Sequence, residues 1–333
     1  MDNDLLKTLN DAEEFLRLNK VEDDLHSRSL LETLENEILS DANDTISLFY
    51  KTETREAVLL ISGKRDKIYK ENMDPEEYLH ICKKIHIEEN NNYNESVSYM
   101  KNGVAVRVFA MTRPVSEFPN ITISTAKPPP ALWNNQIELV EILGTVTKEN
   151  FIVVGGSGAG KTYLMNYLLK EEFKSSNKKI GLIEEFIELF APNDCTSRLI
   201  VPPAKPNENR LLQYITEMSN LMRFDFICVG EIKGPEAWPF IINLYSGTKG
   251  AATVHGSSAR EGLKRLINLC CMSDISERNA METISKSIKY VIYVEKHEIK
   301  EIIMLTGVSV GGVFQSSSIW SKVDGFNQGL KSL

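Results

Sequence analysis

The rhythm of apolar and polar positions changes twice along the 333 residues. Over residues 4–18, Leu5, Leu9, Ala12 and Leu16 recur near the 3.6-residue period. Over 26–40, Leu30, Leu31, Leu34, Ile38 and Leu39 do the same, so both segments are predicted helices. Polar and acidic residues fill much of their other faces. That pattern reads as solvated helices packed along one stripe, with docking to a partner or a membrane as the other reading. From Thr45 the period shortens, and residues 46–50 and 57–61 are predicted strands with charged turns around them. Asp74-Pro75-Glu76-Glu77 is a helix start: a capping Asp, a proline in the first position and acids in the first turn. Tyr78, Cys82 and Ile85 supply its apolar stripe. An Asn102-Gly103 turn joins predicted strands at 96–100 and 104–109, and residues 120–125 add another. Residues 1–126 are therefore expected to form a smaller α+β N-terminal domain.

Lys127-Pro128-Pro129-Pro130 interrupts this pattern. Consecutive prolines continue neither a helix nor a central strand, so 127–131 is predicted as a short, stiff connector. Such a connector would let one domain swing against the other as a semi-rigid lever. From Leu132 the pattern becomes α/β. Buried strands are predicted at 151–154, 179–183, 226–229 and 251–254, with later strands at 291–294 and 302–305. Helices are predicted at 137–143, from Tyr163, at 207–221, 235–244, 259–271 and 276–287. Alternating strands and helices imply a mostly parallel sheet covered on both faces over residues 132–333.

Composition narrows the class. Hydrophobic content of 42% and charged content of 25% are ordinary for a globular protein. A net charge of -8 argues against nonspecific nucleic-acid binding, and no direct sequence-specific nucleic-acid contact is expected. Cys82, Cys195, Cys228, Cys270 and Cys271 show no metal-ligand spacing, and their odd count suggests reduced thiols in the cytoplasm. His80 and His86 have no acidic or histidine partner at ligand spacing. The acidic opening Met1-Asp2-Asn3-Asp4 is unlike a signal peptide. No apolar run approaches the ~20 residues that span a bilayer, so any membrane association is expected to be peripheral or through a partner.

The chemistry begins at the first α/β strand. The run 151–154 leads into Gly155, Gly156, Ser157, Gly158, Ala159, Gly160, Lys161 and Thr162, which fit G-x-x-x-x-G-K-[ST]. Glycines let backbone N–H groups turn inward around a phosphate chain, and the following helix N-terminus adds partial positive charge. Lys161 is placed to reach β- and γ-phosphates, and Thr162 to set its hydroxyl on Mg²⁺. In such a sheet ligands bind at the carboxyl ends of strands. There, residues 226–229 lead to Gly230-Glu231, an acid suited to hold Mg²⁺ directly or through water, or to orient water. The strand 179–183 continues into Glu184, Glu185 and Glu188, which are either a solvated turn or a set of carboxylates that positions water or completes the Mg²⁺ shell. His255 ends the 251–254 run, as a γ-phosphate sensor or as a packing histidine.

Together these segments resemble the secretion-ATPase superfamily of type II secretion motors, type IV pilus motors and type IV secretion ATPases. Residues 155–162, 183–189, 229–237 and 246–256 match its Walker A, Asp box, Walker B and His box in order. Glu236-Ala237, the Gly256-Ser257-Ser258 after the histidine and the chain length are most similar to the type IV secretion (conjugation and effector transfer) branch. Asn102-Gly103, Arg107-Val108, Pro114-Val115 and Ile121-Thr122-Ile123 are similar to that family's N-terminal domain. The resemblance implies an ATPase with a RecA-like P-loop C-terminal domain, ATP and Mg²⁺, and a homo-hexameric ring of two layers. It implies ATP between the two domains of each subunit and hydrolysis coupled to motion of the N-terminal domain, for machine assembly or substrate transfer. It also implies a seat at the cytoplasmic face of the inner membrane, with other type IV secretion ATPases and inner-membrane components as partners. On this resemblance Glu231 is the Walker B acid, Glu188 activates water with Glu184 and Glu185 in support, His255 senses the γ-phosphate and Arg107 reaches the nucleotide. Three positions depart from the family: Glu185 stands where Asp is usual, Thr248 where a first histidine is usual, and Ser124 where an arginine is common, with Arg113 as a candidate substitute. A missing arginine finger matters by ~10³-fold or more, so slow basal hydrolysis, stimulated on assembly, is expected. The rival readings are a nucleotide-dependent scaffold with little hydrolysis, a pilus or type II secretion motor, and a small-molecule kinase, against which the lack of an Arg-rich lid segment counts.

Overall fold

The computed structural model describes residues 33–34, 43–63, 67–84, 94–101, 104–111, 118–126, 139–201, 215, 222–322 and 329–332. The predicted helices at 4–18, 26–40 and 207–221, the Asn102-Gly103 turn, the 127–131 connector and Arg113 lie wholly or almost wholly outside them. The chain divides into two compact units, Met1–Lys127 with Phe186–Glu188, and Pro128–Glu185 with Leu189–Leu333.

The first unit is an antiparallel sheet of β1 (Asn43–Lys51), β2 (Glu56–Gly63), β3 (Lys67–Asn72), β4 (Asn94–Lys101), β5 (Val104–Met111) and β6 (Asn120–Ala126). Their order is β3-β2-β1-β6-β5-β4, with α1 (Pro75–Lys84) between β3 and β4 in the chain. Alternation puts Ile46 and Leu48, Leu59 and Ile61, Val106 and Val108, and Ile121 and Ile123 into one apolar layer with Tyr78, Ile81 and Cys82 of α1. The buried Tyr78 hydroxyl donates to the Pro119 carbonyl at 2.5 Å, which satisfies the one polar atom its ring carries into that layer. β3 was not predicted: it is an edge strand, and Lys67, Lys70, Glu71 and Asn72 leave little apolar pattern to read.

The second unit holds a nine-stranded sheet in the order β15-β14-β13-β12-β7-β11-β10-β8-β9. Its strands are β7 (Phe151–Gly155), β8 (Ile180–Glu184), β9 (Thr196–Ile200), β10 (Phe226–Ile232), β11 (Lys249–His255), β12 (Tyr290–Glu295), β13 (Glu298–Val308), β14 (Phe314–Ser321) and β15 (Gly329–Ser332). From β12 through β7 to β9 every pairing is parallel, and from β12 to β15 every pairing is antiparallel. The helices are α2 (Val140–Val146), α3 (Lys161–Phe173), α4 (Ala237–Tyr245), α5 (Ala259–Cys271) and α6 (Glu277–Ser287). α2 runs from 140 to 146 rather than ending at 143, because Val146 as well as Leu143 is buried. Phe151, Val153, Leu182, Phe226 and Cys228 pack with Leu164, Met165 and Leu168 of α3 on one face. Ile152, Val154, Ile183, Ile227 and Val229 pack with α4, α5 and α6 on the other. Successive residues of each central strand thus serve opposite layers, as a parallel sheet covered on both sides requires. This is the RecA-like arrangement expected for residues 132–333.

Two local features fix the sheet around β7. Asn150, just before it, donates from Nδ2 to the Ser287 carbonyl at 2.8 Å and accepts the Gly250 N–H at 3.0 Å. α5 lies directly on β7: a Cβ at Gly262 would stand 2.4 Å from both Val154 methyl carbons. The helix start is set by Ser258, whose hydroxyl accepts the Glu261 N–H at 3.1 Å. Gly262→Ala is expected to lower stability by about 1–3 kcal/mol by forcing helix and strand apart. Gly144→Ala in α2, where a Cβ meets nothing within 4 Å, is expected to be neutral or stabilising by up to ~1 kcal/mol. Thermal denaturation of both variants beside the parent checks the contrast.

Candidate active site

β7 is buried along its whole length and α3 on most of its faces, so the segment between them is the exposed crest of a buried strand-to-helix connection. Gly156, Ser157 and Gly158 are exposed there, while Ala159 is buried. Gly160 is the N-cap of α3 with φ 95°, a left-handed conformation that glycine adopts without strain, and no side chain caps the helix start. The positive end of α3 is thereby left to whatever anion approaches. The loop is tied from behind by the β12–β13 turn, where the His297 N–H donates to the Ala159 carbonyl at 2.9 Å.

Lys161 is buried to 8% exposure, and its ammonium donates to the carbonyls of Gly155 at 3.1 Å and Gly156 at 2.8 Å. It also stands 3.3 Å from Nδ1 of His255, the last residue of β11. His255 Nε2 lies 2.5 Å from Oε1 of Glu231. The chain of contacts therefore runs Lys161–His255–Glu231, across the carboxyl ends of the three adjacent strands β7, β11 and β10. Burial pushes the His255 pKa below the ordinary histidine value, and the Lys161 ammonium pushes it further down. The Glu231 carboxylate pulls the other way, and the Arg265 guanidinium adds to the lowering. In the neutral ring, Nε2–H donates to Glu231 and Nδ1 accepts from Lys161, a tautomer assigned from these partners. Glu231 lies inside β10, which runs to Ile232 instead of stopping at Val229.

The other acids serve separate contacts. Glu184, 4% exposed at the end of β8, accepts the Leu189 N–H at 2.9 Å and stands 2.9 Å from Arg198 Nε. That carboxylate shapes the loop that follows its own strand. Glu185 forms an ion pair with Lys233. Glu188 falls in the first unit, 3.7 Å from the Arg107 guanidinium, which lies 3.6 Å over the Phe186 ring. Arg107 is directly opposite Ser124 in the β5–β6 ladder, so it neighbours the position where the family commonly carries an arginine. Thr162 is the second residue of α3, half-buried beside Lys161. Its hydroxyl and the Glu231 carboxylate are hard oxygen donors of the kind Mg²⁺ takes in ones and twos alongside phosphate oxygens.

Sequence reasoning gave no role in the site to two polar residues at this end of the sheet, Glu236 being read only as part of a family motif. Glu236, 3% exposed, accepts the N–H groups of Lys233 at 2.8 Å and Gly234 at 2.7 Å and so shapes the turn after β10. Thr253, 1% exposed, donates to the Gly230 carbonyl at 2.6 Å. Thr253 had a signal, as the one polar residue in the run 251–254.

A glycine-capped helix following a buried parallel strand, with a lysine folded back on the loop, defines a P-loop nucleotide-binding fold of the RecA-like type. Residues 133–297, almost all of which lie in the second unit, match the family described as Type II/IV secretion system protein. Protein VirB11 of Rhizobium radiobacter is 25% identical over 179 residues, 51% of this chain and 52% of that protein. The chain spans about half the length of the curated relatives it matches. Among solved structures, the pilus retraction motor PilT with bound ADP has a TM-score of 0.58 at 13% identity, covering 86% of this chain and 81% of that one. The Legionella pneumophila ATPase DotB has a TM-score of 0.55 at 17% identity, covering 88% and 79%. At these identities the likeness is one of fold.

The lowered His255 pKa has a direct check. By ¹⁵N-resolved titration, the ring is expected to protonate below 6.5, the ordinary value. Lys161→Ala should move the midpoint up, since it removes a neighbouring positive charge. Glu231→Gln should move it down.

Proposed function

We propose that this protein is an ATP-hydrolysing motor of a type IV secretion or conjugation machine. The observation that carries the proposal is the Lys161–His255–Glu231 chain, which sets a cation, a neutral imidazole and a carboxylate in a row beside an open phosphate loop. The family match over residues 133–297 and the ADP-bound PilT neighbour support the same reading. Lys161 exchanges its two carbonyl partners for the β- and γ-phosphates of ATP, with residues 155–162 wrapping the phosphates. Thr162 and Glu231 are the residues that would hold Mg²⁺, which when bound neutralises charge on the β- and γ-oxygens. His255, freed from Lys161, keeps Nε2 on Glu231 and turns Nδ1 toward the γ-phosphate, to which it donates once that nitrogen carries a proton. Water attacks in line, and Glu188, with Glu184 and Glu185 in support, is the candidate to orient it; Arg107 is the candidate to reach the nucleotide. These last four roles rest on the resemblance of motifs.

The motor reading extends to assembly. A homo-hexameric ring, a place at the cytoplasmic face of the inner membrane and contacts with other secretion ATPases follow from the likeness to that family. Among the described residues no helix is long and apolar enough to cross a membrane. The division into residues 1–126, a connector at 127–131 and an ATPase domain at 132–333 is part of the proposal, supported by the three consecutive prolines.

Steady-state phosphate release tests it. Lys161→Ala is expected to abolish hydrolysis and Glu231→Gln to lower kcat by about 10²-fold or more. A parent that releases no more phosphate than either variant, with assembly partners present, makes the chain a nucleotide-dependent scaffold instead. Sedimentation should give about six times the chain mass with nucleotide, and a monomer under all conditions contradicts the ring.

A further inference from the structure

The strand that carries Glu231 breaks its own alternation. Phe226 and Cys228 of β10 pack on the α3 face of the sheet, and Ile227 and Val229 pack on the opposite face. Continued regularly, that alternation sends Glu231 to the side of Ile227 and Val229, into an apolar layer where an ionised carboxylate is costly. Instead Ile232 fills that layer, three positions after Val229. The cause is a register shift: Val229 pairs with Ala252 but Ile232 pairs with Val254. Two residues of β10, Gly230 and Glu231, therefore face one residue of β11, Thr253, which is a β-bulge. A bulge disrupts the ladder locally, and here the Thr253 hydroxyl donates to the Gly230 carbonyl at 2.6 Å. On the other side of the bulge the approach is close, since a Cβ at residue 230 would stand 3.1 Å from the Glu184 Cβ. Glu231 emerges with its side chain 36% exposed and its carboxylate on His255.

We propose that Thr253 is a positioning residue, whose hydroxyl holds the β10 bulge and thereby turns Glu231 out of the apolar layer and onto His255. The inference rests on the proposed function, in which Glu231 and His255 serve the phosphate end of the nucleotide. Threonine suits the task twice. Its branched side chain is stiff about χ1, so the hydroxyl is held in one direction, and it fills the same volume as valine inside the sheet. Valine in its place keeps the packing but leaves the Gly230 carbonyl without that donor in a part-buried setting. The bulge then loses the bond that distinguishes it from regular pairing.

The test uses the full chain with Thr253→Val and Thr253→Ser, read in two ways. Steady-state hydrolysis gives kcat and KM for ATP, and the ¹⁵N spectrum of the nucleotide-free protein at fixed pH reports the His255 ring bonded to Glu231. In Thr253→Val, kcat is expected to fall about tenfold or more while KM stays within about twofold, because a group at the reacting end is displaced while the phosphate loop is left intact. The His255 Nε2 signal should shift in the same variant, and Thr253→Ser, which keeps the donor, should restore both readouts. A Val variant with parental kcat and a parental His255 signal overturns the proposal, as does a Ser variant as impaired as Val. Should the parent itself release no phosphate, the motor reading fails, and the His255 signal alone decides: unmoved in Thr253→Val, it overturns the positioning role. Thr253→Ala, which deletes the hydroxyl without putting a second methyl in its place, is read identically if the Val variant does not fold.

Discussion

The second unit is organised around one buried cation. Lys161 carries its ammonium to 8% exposure at the head of α3, where it is held by two carbonyl oxygens of the loop it terminates and by a histidine nitrogen. Burying a charge is expensive unless its donors are satisfied, and backbone carbonyls with a neutral imidazole satisfy an ammonium without cancelling its charge. The site is thus left electropositive beside a helix N-terminus. A polyphosphate offers this cation better partners than the carbonyls it has, since its oxygens carry full negative charge. His255 is kept from becoming a competing cation by its own burial and by Lys161 itself.

Holding that arrangement requires three strand ends to stop in register. Asn150 ties the beginning of β7 to Gly250 at the entry of β11 and to Ser287 at the end of α6. Gly262 lets α5 settle on Val154, so the helix that follows His255 packs on the strand that leads to Lys161. The bulge in β10 then solves a parity problem: the acid must sit at the strand end without occupying a layer that belongs to Ile227, Val229 and Ile232. Precision at the site comes from rigid elements, and the exposed loop between β7 and α3 supplies the opening.

Much of this was legible in the sequence where the signal is local. The phosphate loop is contiguous, and the apolar runs flanking it are long enough to show. The central parallel strands read as unbroken apolar segments because both their faces are covered. Elements were lost where polar residues occupy inward positions or where a strand lies at an edge. In β14, Phe314, Ser316, Ser318 and Trp320 face inward, and two serines at 1% exposure hide the period-two pattern. β9 is an edge strand of intermediate burial, and Thr196, Ser197 and Arg198 blur its pattern. At the site, the motif picked out Glu184, yet its carboxylate is occupied with Arg198 and the Leu189 N–H, a pairing set by a strand separate in sequence. The Thr253–Gly230 bond joins residues 23 positions apart, and only the register of two strands reveals it.

Calorimetric titration of the folded chain with a non-hydrolysable ATP mimic, with inorganic triphosphate as competitor, tests the central claim most directly. Saturable heat that triphosphate displaces and that Lys161→Ala abolishes is the predicted result, because the grip is on the phosphates and Lys161 is its centre. A folded parent that gives no heat with the mimic, or binds it unchanged after Lys161→Ala, would contradict the account.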